Sequence, residues 1–259
     1  MNKKINNFLF VFITVFLASC IAPTTQRTKP NEEAVAIEAE KQREIAVKEA
    51  SKSHYRLLRV GGPILKKSLP FCKDRKRKSI GIIYANKFNY DEEFQNIAVS
   101  KLGLGDKLEI TYAIDSYPAA KAGFKAGDVL LSVNGKDIPI GKDASKKFSK
   151  LLKKEMKGNA QLSFQVARNN ITESLNVVPI EVCDYPLILT NDDVVNAFAD
   201  GNNIFITQGM MDFADSENEL ALVIAHELAH NTMRHIDAKR LNALGGFVID
   251  MLILSLIHI

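Results

Sequence analysis

The sequence carries little net charge, which limits the partners it can have. Its 34 Lys and Arg residues are nearly balanced by 30 Asp and Glu residues, so the formal charge is +4. Residues 73–78 form the only concentrated basic run, and a solvated loop ahead of a strand accounts for such a run. We therefore expect no nucleic-acid partner. The composition, 46% hydrophobic and 25% charged, is that of an ordinary globular chain of one or two domains.

Long apolar runs are also scarce. Residues 8–17 and residues 247–259 are both too short for a comfortable membrane span, which does not favour a transmembrane protease. The first of these runs follows two lysines and precedes two small residues. This layout is typical of a secretory signal peptide, which we place at residues 1–19.

The end of this segment, Leu17-Ala18-Ser19-Cys20, resembles the lipobox of bacterial lipoproteins. The resemblance implies that Cys20 carries a lipid and that residues 20–31 are a tether. It also implies that the chain is anchored at the periplasmic face of the cell envelope, in the outer membrane. A plain signal peptide with an incidental Cys is the alternative.

Cysteine is rare, with three in the chain. Once Cys20 is lipidated, Cys72 and Cys183 remain, and an oxidising compartment permits a disulfide between them. Two buried free thiols are the alternative.

Residues 32–74 are predicted to form a helical linker. Asn31 can cap a helix, and Glu32 and Glu33 suit its first turn. The apolar face of residues 32–58 is thin, so we expect a solvated helix or stalk. Gly61-Gly62-Pro63 is predicted to stop it.

Residues 75–180 alternate between short strands and helices. Strands are predicted at 79–85, 108–114, 129–133, 161–168 and 171–180, and helices at 91–102 and 143–156. This order and residues 118–135, which include Ala122-Gly123 and Ala126-Gly127-Asp128, resemble a PDZ domain. The resemblance implies that Ser79, Ile80, Gly81 and Ile82 receive an extended peptide against helix 143–156. A structural spacer without a free groove is the alternative.

The run His226-Glu227-Leu228-Ala229-His230 falls within residues 217–235, which we predict to be helical because Ser216 and Glu219 fit a capping box. Residues i and i+4 share one helix face, so His226 and His230 can bind one zinc ion. Glu227 projects about 100° around the axis from His226, which suits a general base acting on water. The alternative is that the two histidines lie on the surface, or lie in the core with ordinary hydrogen-bond partners. The apolar residues 220–225 argue against it, because polar side chains on so apolar a helix are costly to bury without partners.

The flanking residues resemble the M48 family of zinc metallopeptidases. The resemblance rests on residues 196–201, 204–210 and 219–230. It implies that Asn196, Ala197 and Phe198 belong to a strand edge near the substrate, and that residues 181–259 are part of a mainly helical zincin-type domain. The expected fold class is α+β, with a PDZ-like β-sandwich or barrel first. The implied reaction is endopeptidase cleavage of misfolded or regulatory proteins in the cell envelope, with one Zn²⁺ per chain.

A peptidase zinc needs a third protein ligand. Met233 and Ile236 exclude the metzincin pattern, which has Gly and His there. After His230 the remaining candidates are His235, Asp237, Asp250 and His258. His235 faces away from the pair, about 140° past His230, and Asp250 is near enough in the sequence to reach the site. In M48 peptidases the third ligand is a Glu, and no Glu follows Glu227. We therefore expect a C-terminally truncated chain whose third ligand lies downstream of residue 259.

Two functions from different classes remain open at this point. One is a zinc metalloendopeptidase with Glu227 as general base. The other is a non-catalytic envelope lipoprotein that binds peptides or unfolded proteins through its PDZ domain. Changing Glu227 to Gln tests the first, and filling the groove at Gly81 is expected to test the second.

Overall fold

A computed structural model describes residues 31–234 of the chain. Within this range, residues 31–41 and 42–234 belong to two different units. Cys20, the predicted signal peptide and the downstream candidates His235, Asp237, Asp250 and His258 lie outside the described residues. No helix within residues 31–234 combines the length and the apolar character that a membrane crossing requires.

The helices and strands follow one another in a mixed order. The helices are α1 (Glu32–Lys67), α2 (Glu92–Leu102), α3 (Pro118–Lys121), α4 (Ala144–Gly158), α5 (Gln208–Phe213) and α6 (Glu217–Thr232). The strands are β1 (Lys76–Ser79), β2 (Ile82–Ala85), β3 (Glu109–Ala113), β4 (Val129–Val133), β5 (Lys136–Asp137), β6 (Leu162–Arg168), β7 (Ile171–Val177), β8 (Ile180–Cys183), β9 (Leu187–Thr190), β10 (Ala197–Ala199) and β11 (Ile204–Thr207).

Helix α1 is longer than the sequence predicts and does not stop at Gly61-Gly62-Pro63. The prediction of a solvated stalk holds for its exposed first residues but is wrong for its second half, where Leu57, Val60 and Leu65 are buried. The two glycines permit close packing instead of ending the helix. A Cβ on Gly61 would lie 2.2 Å from Leu187 Cδ1, and one on Gly62 would lie 3.2 Å from Tyr117 Cε2.

Polar contacts fasten the second half of α1 to the segment ahead of α6. The Arg56 guanidinium donates to the carbonyl oxygens of Met211 (2.6 Å) and Ala214. One turn later, Arg59 pairs with Glu217 at 2.5 Å, at the first residue of α6. Because these contacts join residues more than 150 positions apart, α1 braces the start of α6.

A six-stranded sheet forms the first core. Its order is β2-β3-β4-β6-β7, with β5 paired to β4. Strand β6 buries Leu162, Phe164 and Val166, which are every second residue, as expected for a strand with one face on a core. Helix α4 packs Phe148 and Leu152 against this face. The β6–β7 hairpin turns at Asn169 and Asn170, both with positive φ, as its Asn-Asn signal predicts.

A second core contains a three-stranded sheet of order β10-β11-β9. Strands β9 and β11 run parallel, while β10 pairs antiparallel with β11 and forms one edge. Helix α6 packs on this sheet through Leu220, Ile224 and Leu228. The buried part of α1 belongs to the same core, as do Cys72 and Cys183, which are joined in a disulfide with a Cα–Cα distance of 5.6 Å.

The predicted strand 79–85 is two strands in the structure. β1 pairs with β8, β2 pairs with β3, and Ile80-Gly81 forms a corner between them. Gly81 has φ +81°, and a Cβ there would lie 2.2 Å from Tyr117 Cβ. The single-strand prediction is therefore wrong, because the left-handed backbone of Gly81 redirects the chain.

Replacing Gly81 by Ala should lower the free energy of unfolding by about 1–3 kcal/mol, since the new Cβ meets Tyr117 and the backbone must leave its left-handed conformation. Tyr117 cannot easily yield, because its hydroxyl donates to Gly62 O at 3.2 Å. Urea unfolding followed by circular dichroism measures the change. Gly141→Ala is the control, because Gly141 has φ +89° but a Cβ added to it would meet no atom within 4 Å. Equal losses in the two variants would contradict the clash.

Candidate functional site

Helix α6 begins as its sequence predicts. Ser216 Oγ accepts the Glu219 amide (3.2 Å), and Glu219 Oε2 accepts the Ser216 amide (3.1 Å), which completes the capping box. From this start, Leu220, Ile224 and Leu228 follow at four-residue spacing and are buried. The packed face fixes the rotation of the helix and therefore the direction of every other side chain on it.

His226 and His230 lie together on another face of α6. Their Nε2 atoms are 3.1 Å apart, and their rings meet edge to face at 80°. Two nitrogens on one tetrahedral zinc ion, each bonded at about 2.0–2.1 Å, are about 3.3 Å apart, so this spacing fits a shared metal. The same spacing fits a hydrogen bond in which one ring donates to the other. Both side chains reach solvent in part, which leaves room for a substrate.

The described residues contain no cluster of three metal-binding side chains. Within residues 31–234, only the imidazoles of His226 and His230 therefore have both the chemistry and the spacing of ligands to one zinc ion. The candidates His235, Asp237, Asp250 and His258 lie outside this part of the chain, and so does any ligand downstream of residue 259.

Glu227 lies beside the two histidines but on the buried side of α6. Its side chain is 9% exposed, and the neighbouring stripe contains Leu220, Ile224 and Asn231. Glu227 therefore faces the border between the core and the histidine face. A carboxylate in this place is shielded from bulk water, yet it lies next to the residues that would hold a metal.

Asn231 is a site residue that the sequence did not single out. It is 3% exposed and joins α6 to the turn between β10 and β11. Its Oδ1 accepts the Gly201 amide (2.7 Å), and its Nδ2 donates to Asn203 O (2.9 Å). The sequence could have indicated this role, because Asn231 follows Glu227 by four residues and therefore lies on the same buried face of the helix.

Asp200 makes this turn rigid. It accepts the amides of Asn202 (2.7 Å) and Asn203 (2.6 Å). Burial acts to raise the pKa of Asp200, but the hydrogen bonds from Asn203 and Asn202 outweigh it, so the pKa is lowered and the carboxylate form is favoured. The hydrogen bonds of Asp200 within the turn and those of Asn231 to it connect the end of β10 to α6.

Replacing Asn231 by Ala should cost about 1–3 kcal/mol of folding free energy, because it removes two hydrogen bonds of a buried side chain, one from the Gly201 amide and one to Asn203 O. Thermal unfolding measures the loss. Thr232→Ala is the control, since Thr232 Oγ1 bonds only to Ala229 O within the same helix. If the two variants unfold alike, Asn231 does not hold the turn.

The predicted substrate-edge residues lie along β10. Asn196 directly precedes the strand, and its backbone is held by Thr207, whose Oγ1 accepts the Asn196 amide at 3.1 Å. Ala197 belongs to β10, and Phe198 is 43% exposed and stacks on Phe205 at 4.6 Å. Within the described part of the chain, one side of β10 pairs with β11 and the other side has no strand partner.

The predicted peptide-receiving residues line a groove of about 670 Å³ between β2 and α4. Ser79 ends β1, Ile80 and Gly81 form the corner, and Ile82 begins β2, the edge strand of the six-stranded sheet. Gly81 cannot serve to fill this groove, because a Cβ there points at Tyr117. Ser149, an exposed residue of α4 on the opposite wall, is the better position.

Two protein families match the chain in parts that overlap at residues 169–178. Residues 88–178 match the PDZ domain family, and residues 169–257 match Peptidase family M48. The PDZ match begins shortly before α2 and includes α4 and strands β3 to β7 of the six-stranded sheet. Strand β2 of this sheet lies just before the matched residues. The M48 match covers the three-stranded sheet, α6 and residues beyond the described part.

Curated relatives match over short stretches. The beta-barrel assembly-enhancing protease of Yersinia pestis is 45% identical over 49 residues, which cover 18% of this chain and 10% of the relative. The protein of the same name from Escherichia coli (strain K12) is 40% identical over 53 residues, which cover 20% of this chain and 11% of the relative. The matches thus span about a tenth of these relatives.

Solved structures resemble about two fifths of the chain. The HtrA3 PDZ domain bound to a phage-derived ligand is 17% identical with a TM-score of 0.31, over 41% of this chain and 88% of that one. The HtrA-type protease AlgW with a decapeptide is 21% identical with a TM-score of 0.31, over 40% of this chain and 29% of that one. The family matches therefore show what two parts of the chain resemble, the PDZ domain family over residues 88–178 and Peptidase family M48 over residues 169–257.

Proposed function

We propose that the chain is a zinc-dependent metalloendopeptidase of the bacterial cell envelope. The observation that carries the proposal is the 3.1 Å spacing of the His226 and His230 Nε2 atoms, with Glu227 next to them on the same helix. The match of residues 169–257 to Peptidase family M48 supports it. His226 and His230 would hold the zinc, and the third ligand comes from outside the described residues.

His226 and His230 would hold a zinc ion where it could polarise the scissile carbonyl and make a nearby water more acidic. Glu227 then takes the proton of the attacking water and gives it to the leaving amine. Strand β10 orients the substrate, because the main-chain groups on its free side can pair with an extended peptide. Phe198, half exposed on β10, offers an apolar surface to the substrate.

The location proposed for this reaction is the periplasmic face of the envelope, with a lipid on Cys20 as the membrane anchor. The name of the relatives refers to the assembly of beta-barrel proteins. Misfolded or regulatory envelope proteins are therefore the substrate class that we propose.

Zinc content and cleavage together test this proposal. A chain that includes the third ligand should bind one zinc ion, measured by atomic absorption after dialysis, and should cleave casein in a manner that a chelator stops and added zinc restores. His226→Ala and His230→Ala should each lose the metal and the activity. If the unchanged protein binds no zinc, or if the two variants still bind zinc, the proposed metal site is wrong.

Peptide binding without catalysis is the second candidate, and the groove between β2 and α4 favours it. We propose that the groove binds an extended peptide by adding it as a strand beside β2. Ser149→Trp blocks the groove without entering the core, since Ser149 is exposed. If an envelope phenotype survives Glu227→Gln but is lost in Ser149→Trp, binding is the function.

A further inference from the structure

The groove between β2 and α4 has a strongly basic rim. Lys76, Arg77 and Lys78 of β1 line it, together with Lys153 and Lys157 of α4. The basic run 73–78 was predicted to be a solvated loop, but its second half belongs to β1 and pairs with β8. The pairing brings these cations to the end of the groove where β2 begins.

Acidic residues cancel only part of this charge. Glu181 and Asp184 also line the groove, and Arg77 Nε lies 3.4 Å from Asp184 Oδ1, so this pair is internally balanced. Four lysines then face one carboxylate, that of Glu181. Lys78 is held in place, because its Nζ donates to Met156 O at 2.8 Å.

The acidic residue of α4 nearest to these lysines points elsewhere. Glu155 is buried and accepts from Lys136 Nζ (2.5 Å) and Asn134 Nδ2 (2.9 Å), which belong to the β4–β5 turn. Within the described residues, neither Lys153 nor Lys157 has a carboxylate within 4.0 Å. Their charge is therefore available to a ligand in the groove.

The floor beneath this rim is apolar. Ile80 and Ile82 form it on the strand side, and Leu152 and Met156 form it on the helix side. Ser149, Lys153 and Lys157 follow at four-residue spacing along the wall of α4. A ligand that fills the groove thus meets an apolar floor and, along one wall, a row of cations.

We propose that this groove selects extended peptides that carry acidic side chains close to apolar side chains. The proposal rests on the peptide binding proposed above and adds the class of peptide. Opposite charge favours the complex because each peptide carboxylate lies beside an otherwise uncompensated ammonium group. It also raises the rate of encounter, and both effects weaken as salt screens the charges.

Fluorescence anisotropy with the full chain tests the selectivity. The probes are two labelled ten-residue peptides with the same C-terminal Val, one with four Glu residues before it and the other with four Gln residues. The Glu peptide should bind about tenfold more tightly at low salt, as expected for several exposed ion pairs. This advantage should disappear at high salt and should shrink clearly in the double variant Lys153→Gln/Lys157→Gln, which leaves Lys76 and Lys78 in place.

The matched control is Lys146→Gln/Lys150→Gln, which removes the same charge from exposed positions of α4 outside the groove. It should keep the preference. If both peptides bind equally, or if the control variant loses the preference as well, acidic selectivity is overturned while groove binding stands. If neither peptide binds and Ser149→Trp changes nothing, groove binding itself fails. Loss of binding to phosphatidylglycerol vesicles in Lys153→Gln/Lys157→Gln, with peptide binding unchanged, would assign the lysines to a lipid surface and overturn the proposal.

Discussion

Glu227→Gln should reduce peptide cleavage by roughly 10²–10⁴-fold, the usual contribution of a general base. The amide has the size of the carboxylate but cannot accept the proton of the attacking water. The zinc content should not change, because the proposed metal ligands are His226 and His230. The folding free energy should change little, since the side chain keeps its place between the core and the histidine face.

Glu217→Gln is the control for this variant. Glu217 lies on the same helix, is more than half exposed, and pairs with Arg59 away from the histidines. It should retain full cleavage and full zinc content. Cleavage by Glu227→Gln at the rate of the unchanged protein, with zinc retained, would remove Glu227 from the mechanism and leave the histidine pair without a base.

Local sequence signals predicted the helix that carries these residues. The capping box of Ser216 and Glu219 forms as predicted, because both partners lie within one helical turn. The turn of the β6–β7 hairpin at Asn169 and Asn170 has the same origin. In each case the physical cause lies within a few residues, so the sequence alone was enough.

Long-range packing explains what the sequence did not predict. In the sequence, Gly61 and Gly62 indicate the end of a helix. In the structure they continue the helix, because only glycine leaves room for Leu187 and Tyr117 beside it. The corner at Gly81 likewise depends on Tyr117, which is distant in the sequence. Asn231 became a site residue only when its partners in the β10–β11 turn were known.

Loss of the Cys72–Cys183 disulfide is expected to have the largest effect on stability. The bridge closes a loop with a sequence separation of 111 residues, and this loop contains the whole six-stranded sheet. A crosslink over so long a loop restricts the unfolded chain, and its removal typically costs about 2–5 kcal/mol. Cys72→Ala/Cys183→Ala is the suitable variant, because both side chains are buried and Ala leaves no unpaired hydroxyl.

Guanidinium unfolding of this variant and of the reduced unchanged protein should show the same loss. Single replacement of Cys72 should cost as much, since it also opens the loop.

Because Cys183 is paired in register with Lys76, the β1–β8 ladder ends at the bridge, and the same ladder brings Ser79 to the groove. Reduction should therefore weaken peptide binding at the groove before the six-stranded sheet unfolds. Unchanged stability and binding after reduction would show that the ladder and the second core hold this end of the groove without the bridge.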